Sequence, residues 1–222
     1  MLEFLTQSVK HFRDTGSIWP SSPLLARAMT KSLEGVSGSR RVLEVGPGTG
    51  PLTKGVLRRL RAGDHFDIVE INDVFCKLLE KELLQKFRTR HPQVAVNLHN
   101  APIEDAALRG GYDLIVCGLP FNNFPPKLVR SIFRQLLALL SDSGELVYFE
   151  YAGVRAMKAP IAGTAGRAQL KRIDAIGKSL RRHHAGSTEL ILGNFPPAVT
   201  IRLKGGVTSK NAKSRVKATR TK

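Results

Sequence analysis

Glu44, Gly46, Gly48 and Gly50 occupy alternate positions in VLEVGPGTGPLTKGVL, and Glu70 follows 20 residues after the last of them. Alternate glycines let a backbone approach a ligand closely, and a helix beginning just behind them offers unpaired N–H groups. A dinucleotide site spaces its glycines G-x-G-x-x-G around a pyrophosphate. Here the spacing is G-x-G-x-G, with a carboxylate two residues ahead of the first glycine. An acid beside a diphosphate is repelled, so this turn suits a positively charged ligand. Glu70 closes FDIVE, and an acid at a strand end can accept hydrogen bonds from both hydroxyls of a ribose. The two features together describe a site for a cationic nucleoside.

An E-x-G-x-G-x-G turn resembles the first motif of S-adenosylmethionine-dependent methyltransferases, whose cofactor carries an ammonium and a sulfonium. Many members of that superfamily place an acid near the position of Ala101 to contact the adenine amine. This chain has Asn100-Ala101-Pro102-Ile103-Glu104 instead, so Asn100, the Ile103 backbone or Glu104 stands in for it. Cys117-Gly118-Leu119-Pro120-Phe121 falls where amino-methylating enzymes carry N-P-P-Y-like or N-L-P-Y-like loops. Gly118 replaces the asparagine, which weakens a side-chain grip on a base and leaves the Gly118 and Leu119 carbonyls to orient an amine, with Phe121 as the aromatic. Tyr148, Glu150 and Tyr151 end a later strand and are candidates to contact the amine. Tyr151 is preferred, because a ring face stabilises a methylated ammonium.

These groups need a scaffold. RRVLEVG, HFDIVEIN, VAVNLHN, YDLIVCGLP and GELVYFEYA read as five strands, and STELILGN and PAVTIRLK read as a terminal antiparallel hairpin. Helices are expected over PLTKGVLRRLR, over Asp73–Arg90 and over Lys127–Leu140, and from a Ser22-Pro23 cap to about Leu33. Alternating strands and helices make an α/β fold with a parallel sheet, and seven strands ending in a hairpin follow the order of the Rossmann-like methyltransferase fold. Leu2, Leu5, Val9 and Phe12 form the apolar stripe of an N-terminal amphipathic helix. The expected organisation is N-terminal helices over 1–34 capping substrate or membrane, one methyltransferase domain over 35–203, and a disordered basic tail over 204–222.

The formal charge of +17 is attracted to anionic membrane surfaces or to nucleic acid. The tail from Lys204 contains seven Lys/Arg and no acid, and Val154–His184 contains Asp174 as its single acid. Arg155, Lys158, Arg167, Lys171 and Arg172 lie in the segment between the fifth and sixth strands, where any of them could neutralise a lipid phosphate. Two distant cysteines, no run of about 18 apolar residues and no secretory leader point to the cytosol, with the protein peripheral on the inner face of the cell membrane. His183-His184 lacks a third ligand, so no metal is expected.

The stretches FRDTGSIWPSSPLLARAM, CGLPFNNFP and LVYFEYAGV, with the glycine turn, resemble the bacterial phospholipid N-methyltransferases over about residues 4–203. That family is related in sequence to the ribosomal RNA adenine dimethyltransferases. The resemblance implies methyl transfer from S-adenosylmethionine to the amine of phosphatidylethanolamine, or of an ornithine lipid as in close relatives. The alternative is an RNA adenine N6-methyltransferase, against which stands the lack of a helical RNA-binding domain after the hairpin. A non-catalytic binding protein is a third reading, disfavoured by the intact Glu44 and Glu70.

Overall fold

The computed structural model describes residues 21–35, 37–152 and 163–206. The expected N-terminal amphipathic helix, Arg155, Lys158 and the tail beyond Gly206 lie outside these residues. In chain order the elements are α1 (Pro23–Thr30), β1 (Arg41–Val45), α2 (Pro51–Leu57), β2 (His65–Val69) and α3 (Asp73–Leu79). A π turn over Glu80–Leu84 joins α3 to α4 (Gln85–Arg90), and β3 (Ala95–His99) and β4 (Tyr112–Cys117) follow. The chain continues through α5 (Pro126–Leu139), β5 (Leu140–Tyr151), α6 (Thr164–His183), β6 (Ser187–Ile191) and β7 (Ala198–Lys204).

The seven strands form one sheet in the order β3-β2-β1-β4-β5-β7-β6. β1 to β5 are parallel, and β7 runs antiparallel between β5 and β6. β1 feeds β2 on one side, while β4 returns to its other side. The carboxyl ends of β1 and β4 therefore flank the point where the strand order reverses, which is where open α/β sheets bind ligands.

Each strand alternates between two apolar layers. Leu43, Ile115 and Leu146 face one cluster beneath α5 and α6, whereas Val42, Phe66, Leu114 and Val147 face the other beneath α1 and α2. In α5, Leu128, Val129, Ile132, Phe133 and Leu136 recur at helical spacing and are buried, while Lys127, Arg130 and Arg134 face outward. α1 begins as its sequence implies: Ser22 Oγ accepts the Leu25 N–H at 3.2 Å, and Pro23 occupies the first turn. Arg202 on β7 holds α1 in place by donating to the Ala28 carbonyl and to Ser32 Oγ at 2.7 Å.

Three boundaries differ from expectation. The helix behind the glycine turn ends at Leu57, not in the RRLR run. The helix from Asp73 does reach Arg90, but through the π turn. The basic segment between β5 and β6 contains the 20-residue helix α6. Its buried stripe is only Ile173, Ile176 and Gly177, too narrow to stand out among the surrounding cations.

Candidate functional site

The glycine turn folds as a series of left-handed steps. Gly46, Gly48 and Gly50 have φ of +70°, +58° and +87°, values that side chains other than hydrogen strain to adopt. The Gly46 N–H donates to the Val69 carbonyl at 3.0 Å, anchoring the turn to β2. A Cβ built on Gly48 meets nothing within 4 Å and would project into open space. Gly48 lines a cleft whose walls come from the carboxyl ends of four strands: Val45 to Thr49 after β1, Val69 to Ile71 after β2, Ala101 to Ile103 after β3, and Gly118 to Pro120 after β4.

Glu70 lies at the centre of the cleft wall. One carboxylate oxygen accepts the Gly48 N–H at 3.1 Å and the other the Asn72 N–H at 2.9 Å. Each oxygen retains a lone pair for a ribose hydroxyl. Burial raises the Glu70 pKa above the usual carboxylate range, and these backbone N–H groups partly offset it. The Asn100 amide donates to the Glu70 and Ile71 carbonyls at 3.1 and 3.3 Å. Both of its hydrogens are then engaged and its oxygen is left as an acceptor, the polarity an adenine amine requires.

Glu44 is fully buried on the face of β1 that packs under α2, behind the glycine turn. Neither of its oxygens, nor the nearby Thr53 hydroxyl, has a partner of hydrogen-bonding geometry among the described residues. Burial pushes its pKa up to about 8; the Thr53 hydroxyl lowers it, and the Glu70 charge raises it further. An orphaned carboxyl behind the turn fits a cofactor bearing an ammonium and a sulfonium, because a cation nearby favours its ionised form.

The end of β4 explains the departure from an asparagine loop. A Cβ on Gly118 would lie 2.5 Å from the Gly46 carbonyl oxygen, so β4 reaches the turn only with glycine there. The Gly118 N–H donates to the Val45 carbonyl at 2.8 Å. Leu119 covers Gly46, where a Cβ would fall 2.6 Å from its Cδ2.

The other sequence candidates are more scattered. Ala101 and Ile103 line the cleft, and the Ile103 carbonyl accepts Gln135 Nε2 at 2.7 Å. Phe121 is 4% exposed, stacked on Phe133 at 4.4 Å and edge-on to Tyr148 at 5.8 Å. Tyr148 and Phe121 thus form a wall of the core beneath the β4 loop. Tyr151 lies on the opposite face of β5, packed edge-on with Phe149 at 5.3 Å. Glu150 shares the Tyr148 face, since strand side chains alternate. Arg167, Lys171 and Arg172 are exposed on α6. Gln169 of the same helix donates to the Phe124 carbonyl at 3.1 Å, tying α6 to the β4 loop.

Sequence reasoning missed Ile71, Phe75, Phe124 and Ile132, which supply apolar walls of the cleft. Ile71 and Phe75 follow Glu70 closely, and that spacing was the available signal. Phe124 reaches the cleft from the loop after β4, and Ile132 from α5, which shares the apolar cluster of β4 and β5.

A seven-stranded sheet of this order, with a glycine turn and a strand-end acid at its switch point, defines a class I S-adenosylmethionine-dependent methyltransferase. The comparisons with known proteins agree. The chain is 31% identical over 146 residues to the ornithine lipid N-methyltransferase of Singulisphaera acidiphila, an alignment covering 64% of this chain and 72% of that protein. The chain belongs to the family of that enzyme. Its fold matches the Bacillus cereus O-methyltransferase in complex with S-adenosylhomocysteine (TM-score 0.63, 13% identity, 91% of this chain and 90% of that one). It also matches the N-methyltransferase NodS of Bradyrhizobium japonicum with the same ligand (TM-score 0.55, 13% identity, 83% and 88%). No protein-family model matches the sequence. The cofactor is S-adenosylmethionine, and the protein is a methyltransferase.

Proposed function

We propose that this enzyme methylates the amine of a membrane aminolipid, phosphatidylethanolamine or an ornithine lipid. The observation that carries the reading is the similarity to the ornithine lipid N-methyltransferase. S-adenosylmethionine supplies an electrophilic methyl group on a sulfonium. The chain's own residues hold the nucleoside through Glu70 and Asn100 and shape the space above the turn with Leu119 and Phe124. The Leu119 carbonyl already accepts the Phe121 N–H at 3.0 Å. That leaves the Gly118 carbonyl to accept a hydrogen of the incoming amine and align its lone pair with the methyl. The amine must arrive without its extra proton. The apolar walls favour the neutral form by desolvation, and Glu150 at the end of β5 is the candidate to take the proton.

Tyr148 supports the Phe121 wall, and Arg167 serves a headgroup approaching from the α6 side, whereas Tyr151, on the opposite face of β5, takes no part in holding the amine. Glu44 supports the cofactor's positive charge from behind the turn. An RNA substrate fits less well, because base stacking needs Phe121 at the surface and its ring is buried. Incubation with labelled S-adenosylmethionine and anionic vesicles containing phosphatidylethanolamine or ornithine lipid tests the assignment. Label in the lipid fraction supports it; label in added RNA and none in lipid overturns it.

A further inference from the structure

Four of the six large apolar side chains exposed among the described residues, Leu24, Leu190, Leu192 and Phe195, belong to the β6–β7 hairpin and to the start of α1 that packs against it. The other two, Val74 and Leu78, lie on α3, beside β2 on the other side of the sheet. Leu192 (73% exposed) and Phe195 (68%) occupy the turn between β6 and β7, and Leu190 is the penultimate residue of β6. Leu24 packs against this turn: a Cβ built on Gly193 would fall 2.3 Å from Leu24 Cδ1. Asn194 Oδ1 accepts the Ser22 N–H at 2.8 Å, fixing the start of α1 to the same place.

β6 is parallel to β5, since both run antiparallel to β7. Its following turn therefore lies at the carboxyl end of the parallel strands, where the cofactor cleft opens. The Pro197 carbonyl accepts the Ala152 N–H at 2.7 Å and ties the turn to the end of β5. Exposed apolar side chains scattered singly need no explanation, but a group collected on one rim marks an interaction surface. Cations stand near the starts of three helices at this end of the sheet. Arg27, Lys127, Arg167 and Lys171 are exposed in the first two turns of α1, α5 and α6, and none has an acidic partner among the described residues.

We propose that this rim is the surface by which the protein docks on an anionic lipid bilayer. Leu24, Leu192 and Phe195 enter the boundary between headgroups and acyl chains, and these cations meet lipid phosphates. The docked orientation faces the cleft toward the headgroup layer, so an amine reaches the methyl while its lipid stays in the bilayer. The choice of a lipid partner rests on the aminolipid reading above, and the test separates the two.

Vesicles of phosphatidylcholine and phosphatidylglycerol, free of any aminolipid, report docking without catalysis. The double variant Leu192→Ser/Phe195→Ser of the full chain loses about tenfold or more of its co-sedimentation, as expected for removing two inserted apolar side chains. Its cofactor affinity by calorimetry and its turnover of detergent-dispersed aminolipid stay unchanged. A Phe195→Trp reporter in a Trp19→Phe background shifts to the blue on these vesicles and is quenched by brominated acyl chains. Unchanged sedimentation with an unquenched reporter overturns the proposal. A fall in mass of the double variant by sedimentation velocity, with vesicle binding intact, assigns the rim to a second copy and also overturns it. So does a loss of RNA retention with vesicle binding intact. Rim-dependent vesicle binding without methyl transfer to any aminolipid supports the docking and removes the substrate reading instead.

Discussion

Gly118 has no room for a side chain, because the Gly46 carbonyl oxygen stands 2.5 Å from where its Cβ would be. Gly118→Ala therefore pushes β4 away from the turn. The expected result is a stability loss of about 1–3 kcal/mol in urea unfolding, the usual cost of overpacking, with cofactor affinity falling in calorimetry. Glu70→Gln keeps the shape but leaves a single acceptor oxygen, so it loses one of the two backbone N–H bonds together with the charge offered to the proposed ribose contacts. Hydrogen bonds to charged groups contribute about 1.5–3 kcal/mol, so cofactor affinity falls roughly ten- to hundredfold. Glu44 makes the pH dependence predictable. In the unfolded chain it ionises near 4.5, whereas the folded protein holds its proton up to about 8. The native state binds more protons in that window, so the cofactor-free enzyme loses stability as pH rises through it. Urea unfolding across the window shows this slope in the parent, and Glu44→Gln flattens it. If the cofactor's positive charge ionises Glu44, binding near neutral pH releases a proton, which appears as a buffer-dependent heat in calorimetry. A parent binding heat equal in all buffers would exclude that coupling.

Among the elements, α6 braces the loop that follows β4. It packs through Ile173 and Ile176 and hands Gln169 to the Phe124 carbonyl, so it supports the loop that closes the cleft. Ile173→Ala leaves a cavity and lowers stability by about 2–5 kcal/mol in urea unfolding. Gln169→Ala spares the core and releases Phe124. Its expected signature is a raised KM for the amine substrate with cofactor affinity unchanged. A fall in cofactor affinity as large as the rise in KM would mean that α6 supports the whole cleft and not the loop.

At the scale of the molecule, a charge of +17 and an apolar rim would make two separable contributions to the proposed lipid binding. Exposed charges are screened over a Debye length of about 8 Å at physiological ionic strength. Added salt should therefore weaken vesicle association, yet leave the loss caused by Leu192→Ser/Phe195→Ser nearly constant on a logarithmic scale. Titrating sodium chloride against both proteins in the co-sedimentation assay checks this. A rim effect that vanishes at high salt would show that charge alone holds the protein on the vesicle.

The sequence by itself determined the class of fold and the cofactor. Strand periodicity, the G-x-G-x-G spacing, the acid before it and the acid after the second strand are local features, and local chemistry reads them. It did not determine which aromatic residues face the substrate. Phe121, Tyr148 and Tyr151 all lie near strand ends, and only packing showed two of them walled into the core and the third on the other side of β5. The reason Gly118 is glycine was equally hidden, since its contact is with a backbone atom 72 positions away. The apolar rim was hidden for the same reason. Leu24 and Gly193 are far apart in the chain and meet only because β7 lies between β5 and β6 and turns its hairpin toward the start of α1.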